Sequence, residues 1–369
     1  TNGWRRNGRA RRWRQAAAIS LRHKVSRMRA RTTLAVFFAL AGMAPAALAQ
    51  FTAQPRAGLK PSQLAIVIND DDPNSVAVGA YYRKVRNIPK ANVVHVNIPN
   101  RPQRLDAAQF SVLKKDIDSQ LGEGIEAVLM IWTAPYAVEC NSITSAYTMG
   151  FDAGQCIRTC DAGQPSKYFN SAATRPYTGL DMRLSMLLPT ESVKQAKAVI
   201  DRGVAAGFRI VPATAYFMVT SEAARNTRVR FYPPPARLAS KKIATKVVKA
   251  DVLENVDDII IYQTGMAHVG KLDTLGFRPG ALADHLTSLG GDLLGQSQMS
   301  SLRWLEAGAT ASYGTVSEPC NHWQKFPHPG ILLKHYVGGA SAIEAYWKSV
   351  AWPAQGLFIG EPLATPYRR

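Results

Sequence analysis

Between residues 257 and 320 the chain runs DDIIIYQTG, then PGALADHLTSLGG, then LRWLEAGATASYGTVSEPCN. Two short apolar runs, a helix-like stretch and a third short run each end in Gly, Thr, Ser or acidic residues. That is the pattern of strands in an open α/β sheet that deliver polar groups to one edge. Continuous apolar character over so few residues means burial on both faces, which points to a mostly parallel sheet with helices on both sides.

The chain before this stretch repeats the grammar. Leu64 to Ile68 is apolar, rich in β-branched residues and too short for a helix, and it stops at Asn69-Asp70-Asp71-Asp72. Pro73-Asn74-Ser75 then offers a helix start, with Val78, Tyr81, Tyr82 and Val85 on one face before Ile88-Pro89 ends the periodicity. Val93 to Ile98 is the next strand, and a strand–helix–strand unit with short joints requires parallel strands. Phe110, Leu113, Ile117 and Leu121 mark a second helix, and Ala127 to Trp132 reads as a strand buried on both faces.

From Thr133 to about Leu188 no period is sustained, and three cysteines fall in this stretch. So long a structureless segment is expected to be a cross-linked insertion over the strand ends. Periodicity returns from Thr190 to Asp201, and Thr214 to Val219 is another strand. Residues 221–256, basic and carrying Pro233-Pro234-Pro235, read as peripheral. Ser341-x-x-Glu344 has capping-box spacing ahead of Ile343, Tyr346, Trp347 and Val350, and Leu357 to Ile359 is a last strand. No internal repeat is visible.

The formal charge of +19 is concentrated at the start: residues 1–49 hold eleven of the 45 Lys and Arg and none of the 26 acids, leaving +8 for the remainder. A surplus of that size without a clustered basic face excludes a nucleic-acid partner. From Met28, Arg29 and Arg31 precede the apolar run Leu34 to Ala41 and the small-residue sequence Ala47-Leu48-Ala49, the layout of a secretory signal. Residues 1–27 read as a mis-assigned upstream extension, 28–49 as the signal, and 50–369 as a single exported α/β domain. Export places the protein in the periplasm or outside the cell, with no membrane anchor after cleavage. Four cysteines in an oxidising compartment imply two disulfides. Cys140 and Cys320 follow strands at one edge and Cys156 and Cys160 are loop neighbours, so the pairs expected are Cys140–Cys320 and Cys156–Cys160.

The element order and its small motifs resemble the caspase-like fold, and within it the gingipain-type cysteine peptidases, whose resemblance implies a three-layer sandwich. In that family one strand ends in Gly-His-Gly and the next in Cys-x-x-Gly. Here the matching stretches read Gly265-Met266-Ala267 and Ser288-Leu289-Gly290-Gly291, so Met266 and Ser288 stand where the resemblance would put the catalytic His and Cys. Gly360-Glu361-Pro362 is similar to the family's closing Gly-Asp-Pro. The phrases PGALADHLTSLGG, GATASYGTVSEPCN and EAYWKSV are also similar to those of an exported bacterial family, a likeness that supplies no activity.

The residues leave three classes open: a binding protein or hydrolase of unidentified chemistry, a serine-type hydrolase, and a structural envelope component. The hydrolase would use Ser288 with His285 or His268 and the amides of Gly290 and Gly291 as oxyanion donors, against the alternative that His285 packs and Ser288 makes a turn. Cys320 beside His322 is a displaced nucleophile only if it is unpaired. Asp70, Asp71 and Asp72, with Glu318 or Glu361, offer oxygen ligands, although Asp runs before a helix are ordinary caps. Spacing among His322, His328 and His335 forms no zinc pattern. Trp132, Tyr136 and Tyr313 near strand ends are candidates to line a pocket for sugar or peptide. The ligand expected is an envelope or extracellular one, bound by Asp70, Asp71, Tyr136, Tyr313 and Glu318, with no cofactor and no metal.

Overall fold

The computed structural model describes residues 58–207 and 210–368, so the upstream extension and the secretory signal lie outside the described residues. Eleven strands form the main sheet: β1 (Leu64–Asn69), β2 (Val93–Val96), β3 (Ala127–Ile131), β4 (Leu184–Leu187), β5 (Ala213–Val219), β6 (Ala236–Leu238), β7 (Ile243–Lys249), β8 (Val256–Thr264), β9 (Leu275–His285), β10 (Ala311–Thr315) and β11 (Gly356–Gly360). Their order is β2-β1-β3-β4-β11-β10-β9-β8-β5-β7-β6. Strands β1 to β4 pair in parallel, as do β5, β7, β8, β9 and β10, while β6 and β11 run antiparallel to β7 and β10. The fold is thus α/β with a mostly parallel sheet, as the apolar runs foretold.

One strand order occurs twice. With the short antiparallel edge strand β6 set aside, β2-β1-β3-β4 and β7-β5-β8-β9 follow the same path: the second strand lies outside the first, and the third and fourth follow inward. The residue pattern does not betray this repeat, because only the path of the chain recurs. Strand β11 lies between the halves, its Ile359 opposite Leu187 of β4. Strand ends of both halves share an edge: the Tyr136 hydroxyl donates to Asp292 at 2.5 Å, Ser317 Oγ to the Cys140 carbonyl at 2.6 Å, and Arg104 to the Val316 carbonyl at 2.8 Å.

Strands β1, β3, β4, β10 and β11 are buried at every position, so both faces of the sheet are covered. Helix α1 (Pro73–Arg86) starts at Asp72, whose carboxylate accepts the Asn74 amide, and it buries Val78 and Tyr82. Helix α2 (Ala107–Ser119) buries Phe110, Leu113 and Ile117 from the periodic set. Helices α3 (Ile143–Met149), α4 (Val193–Ala205), α5 (Leu302–Ala307), α6 (Pro329–Val337) and α7 (Ala342–Ser349) complete the layers. Glu344 accepts from both the amide and the hydroxyl of Ser341, so the Ser-x-x-Glu spacing does mark the start of α7. A separate core on one face of the second half gathers Tyr216, Met218, Tyr262 and Ala283 around Trp304 of α5.

Three expectations need correction. The segment 133–188 is more than an insertion, because Leu184–Leu187 is an inner strand and Ile143–Met149 a buried helix; four apolar residues amid cysteines and glycines give too short a run to stand out. Residues 221–256 are not peripheral as a whole, since they supply β6, β7 and a loop that enters the strand ends. The disulfides pair Cys140 with Cys156 and Cys160 with Cys320. Asn141 explains the first: its side-chain amide donates to the Asp152 carbonyl and its carbonyl accepts the Asp152 amide, which lays the following turn and Cys156 against Cys140.

Candidate functional site

An open α/β sheet takes its ligands beyond the strand carboxyl ends, where neighbouring strands send their connections to opposite sides. This sheet has two such points, between β1 and β3 and between β5 and β8. The first is filled by its own side chains. Ser75 accepts the Asn69 amide at 2.9 Å and donates to the Ile131 carbonyl, and Thr133 Oγ1 accepts the Thr190 amide at 2.9 Å.

At the second point the loop 220–231 lies over the strand ends. Gly265 admits it, since a Cβ there would run into the Arg225 carbonyl. Thr220 Oγ1 donates to the Gly265 carbonyl at 2.7 Å, and Glu222 accepts the Ala267 amide at 3.2 Å. Arg225 pairs with Glu222 at 2.5 Å and donates through Nε to Thr287 Oγ1 at 3.2 Å. Below it Arg228, 1% exposed, forms a buried ion pair with Asp284 and donates to the Thr264 carbonyl at 2.8 Å and the Pro327 carbonyl at 3.2 Å. Gln263 donates to Asp284 at 2.9 Å and to Pro327 at 3.3 Å. One guanidinium therefore ties together loop 220–231, two strand ends and the loop after β10. Burial raises the Asp284 carboxyl, and the adjacent Arg228 charge opposes that rise. Arg228 Nε and Gln263 Oε1 are buried without a partner among the described residues, so this cluster gives up some stability.

Sequence reasoning did not find Arg228, Asp284, Gln263, Arg225 or Glu222. Its signal was available in part: Asp284 stands one residue before His285 at a strand end. Loop 220–231 has no period, however, and nothing local says that its second arginine, Arg228, turns inward.

Of the residues proposed for a catalytic pair, His285 is engaged within the fold through both ring nitrogens. His285 is fully buried; its Nδ1 accepts from Trp304 Nε1 at 2.9 Å, which leaves Nε2 to carry the proton and donate to the Met299 carbonyl at 2.9 Å. Burial pushes this imidazole down to about 3, so it stays neutral and both nitrogens are spent within the fold. Ser288 is partly exposed, with its carbonyl accepting from Thr315 Oγ1 at 2.8 Å, and His268 is exposed beyond the end of β8. Of the two oxyanion donors, the Gly291 amide is already given to the Thr315 carbonyl at 2.8 Å.

The other candidates are dispersed. Asp70 pairs with His95 at 2.8 Å, Asp71 accepts from Asn97 at 3.0 Å, and Asp72 caps α1, all at the first half's strand ends. Glu361 is bound by Tyr82 at 2.7 Å and Arg86 at 2.5 Å, while Glu318 accepts the Cys320 amide at 2.7 Å. Trp132, Tyr136 and Tyr313 are buried rings, with Tyr136 joining the halves through Asp292 and Tyr313 donating to the Lys325 carbonyl at 2.5 Å.

Beside the Arg228 cluster lies an open cleft of about 670 Å³, within the usual range for ligand sites. One wall is Val219, Asn226, Thr227, Val229 and Arg230; the other is Asn321 to Gln324, with Trp323 at its centre. The second wall is fastened by the Cys160–Cys320 disulfide and by buried Lys325, whose Nζ donates to Gln155 Oε1 at 3.0 Å and to the Thr159 carbonyl at 2.5 Å. Burial lowers that ammonium to about 8. Trp323 packs against Phe231 at 4.7 Å and His328 at 5.5 Å between ring centres.

No protein-family model matches the chain, and no curated protein does. Among solved structures it is similar to one described as a protease, with 10% identity over 84% of this chain and 79% of the other at a TM-score of 0.46. It is likewise similar to the Arg-specific cysteine proteinase gingipain R, with 10% identity, 85% and 80% coverage and a TM-score of 0.44. A complex of the pro- and mature domains of RgpB from Porphyromonas gingivalis gives 10% identity, 82% and 79% coverage and a TM-score of 0.40.

Proposed function

We propose that the chain is an exported binding protein whose ligand seats at the carboxyl edge of the second half, and that it does not carry out thiol-dependent peptide cleavage. The observation that carries this reading is the state of the cysteines: all four are in disulfides, while Met266 and Ser288 occupy the two strand-end positions where the peptidase resemblance calls for His and Cys. A thioether has no proton-accepting nitrogen, and a serine hydroxyl needs a positioned base before it attacks. Export is supported by the two disulfides, which persist in oxidising compartments, and by the sequence of residues 28–49. The cleft beside Arg228 supports binding at this edge, since its walls are tied down before any ligand arrives.

Incubation with a peptide library, with and without reductant, tests the reading. No cleavage is expected in either condition; reductant-dependent cleavage that disappears in Cys320→Ala would overturn it. A serine-type hydrolase is the second reading, favoured by the exposure of His268 beyond β8 and the partial exposure of Ser288 beyond β9. It calls for ester hydrolysis that falls at least about a hundredfold in both Ser288→Ala and His268→Ala, the scale of general-base catalysis.

A further inference from the structure

We propose that the cleft between loop 220–231 and residues 321–324 binds a saccharide bearing a carboxylate, stacked on Trp323 and held at its charge by Arg230. This rests on the reading of the chain as a binding protein and names the ligand class of that site.

Three observations lead to it. The first is the aromatic wall. Trp323 is partly exposed, lines the cleft, and is buttressed by Phe231, by His328, and by Phe169 at 6.5 Å. An indole fixed in this way offers its electron-rich face to the slightly positive C–H groups of a pyranose ring at little cost in side-chain entropy. The second is the polar lining: Asn226, Thr227, Asn321, His322 and Gln324 carry amide, hydroxyl and imidazole groups suited to vicinal hydroxyls. The third is charge. Arg230 is the cation of the cleft, its guanidinium resting 4.8 Å from the centre of the Phe231 ring, and no carboxylate occurs among the described residues that line the cleft. A planar fork so placed matches a carboxylate, and nothing opposite it would welcome a cation.

The same walls disfavour a peptide. Strand β5, which ends at the cleft in Val219, is paired on both sides by β7 and β8, so no open strand edge is offered to a main chain. Both walls are fixed: Arg228 joins loop 220–231 to the Pro327 carbonyl, and the Cys160–Cys320 bridge fastens the opposite loop.

Calorimetric titration of the full chain with oligogalacturonate, with its methyl ester, and with a random peptide mixture tests the proposal. The acid is expected to bind, and the ester about tenfold more weakly, equivalent to about 1.4 kcal/mol. Arg230→Gln should abolish that preference. Trp323→Ala should weaken both sugars about tenfold or more, and Trp323→Phe, which keeps a ring, should recover most of the loss; thermal unfolding of each variant checks that it folds. Equal binding of acid and ester, a preference that survives in Arg230→Gln, or unchanged binding in Trp323→Ala overturns the proposal. Peptide binding that is lost in Trp323→Ala, without sugar binding, also overturns it but leaves the binding-protein reading intact. Absence of both refutes the two together.

Discussion

Arg228 stands at the centre of the second half, and its energetics are those of a buried charge. Removing one partner of such a pair leaves the other uncompensated, at about 3–5 kcal/mol, whereas replacing both by apolar residues of similar volume is near neutral. Arg228→Met is therefore expected to lower unfolding free energy by that amount, and Arg228→Met with Asp284→Leu to recover most of it. A double variant whose loss equals the sum of those of Arg228→Met and Asp284→Leu alone, measured by denaturant unfolding, would show that the two residues act independently. His285 makes a second residue-scale prediction. Its folded pKa of about 3 lies below the ordinary 6.5, so between these values the unfolded chain binds a proton that the folded chain does not. Its contribution is complete above pH 6.5 and is lost as pH falls towards 3, by about 1 kcal/mol per unit. The half-buried His328, also lowered by burial, acts in the same direction, so the difference between native protein and His285→Gln isolates the first ring. A stability profile between pH 4 and 7 that has the same slope in both would contradict the assignment.

At the scale of elements, Gly265 and the disulfides fix the loops that make the cleft. Gly265→Ala sets a Cβ against the Arg225 carbonyl, so loop 220–231 must shift. A loss of about 1–3 kcal/mol is expected, together with faster proteolysis within that loop. The Cys160–Cys320 bridge closes a separation of 160 residues and Cys140–Cys156 one of 16. On chain entropy the longer closure contributes about 5 kcal/mol and the shorter about 3, so Cys160→Ser with Cys320→Ser should cost more than the other double replacement. Peptide mapping without reduction checks the pairing itself. Most elements were legible because their signals are local: the β-branched runs of β1, β3 and β8, the apolar face of α1, the Ser341–Glu344 cap. Strand β4 was not, being four residues inside a cysteine-rich stretch, and the disulfide pairing was not, because it depends on how Asn141 lays residue 152 against the strand end.

Across the whole molecule, the edge proposed to carry the site was readable while the side chains gathered there were not. The apolar runs that lead to Gly265 and Ser288 pointed to the carboxyl edge of the second half, and the structure sets Arg228, Asp284 and the Trp323 cleft at or beside that edge. Several of the residues chosen from sequence are engaged within the fold: His285 by Trp304, Tyr313 by the Lys325 carbonyl, Asp72 by α1. Side chains near strand ends are adjacent in sequence to the edge, but whether each faces ligand or core is set by loops more than fifty residues away, as Arg228 is from Asp284. The strand order also repeats, which gives two edges of similar form; the first is filled by its own side chains and the second lies beside a cleft. Amide hydrogen exchange over the full chain, with and without oligogalacturonate and the peptide mixture, tests that assignment most directly. Slowed exchange confined to residues 219–231 and 321–328 is the expected result; protection centred on Asn69 to Asp72 and Asn97, with none in the second half, would contradict it.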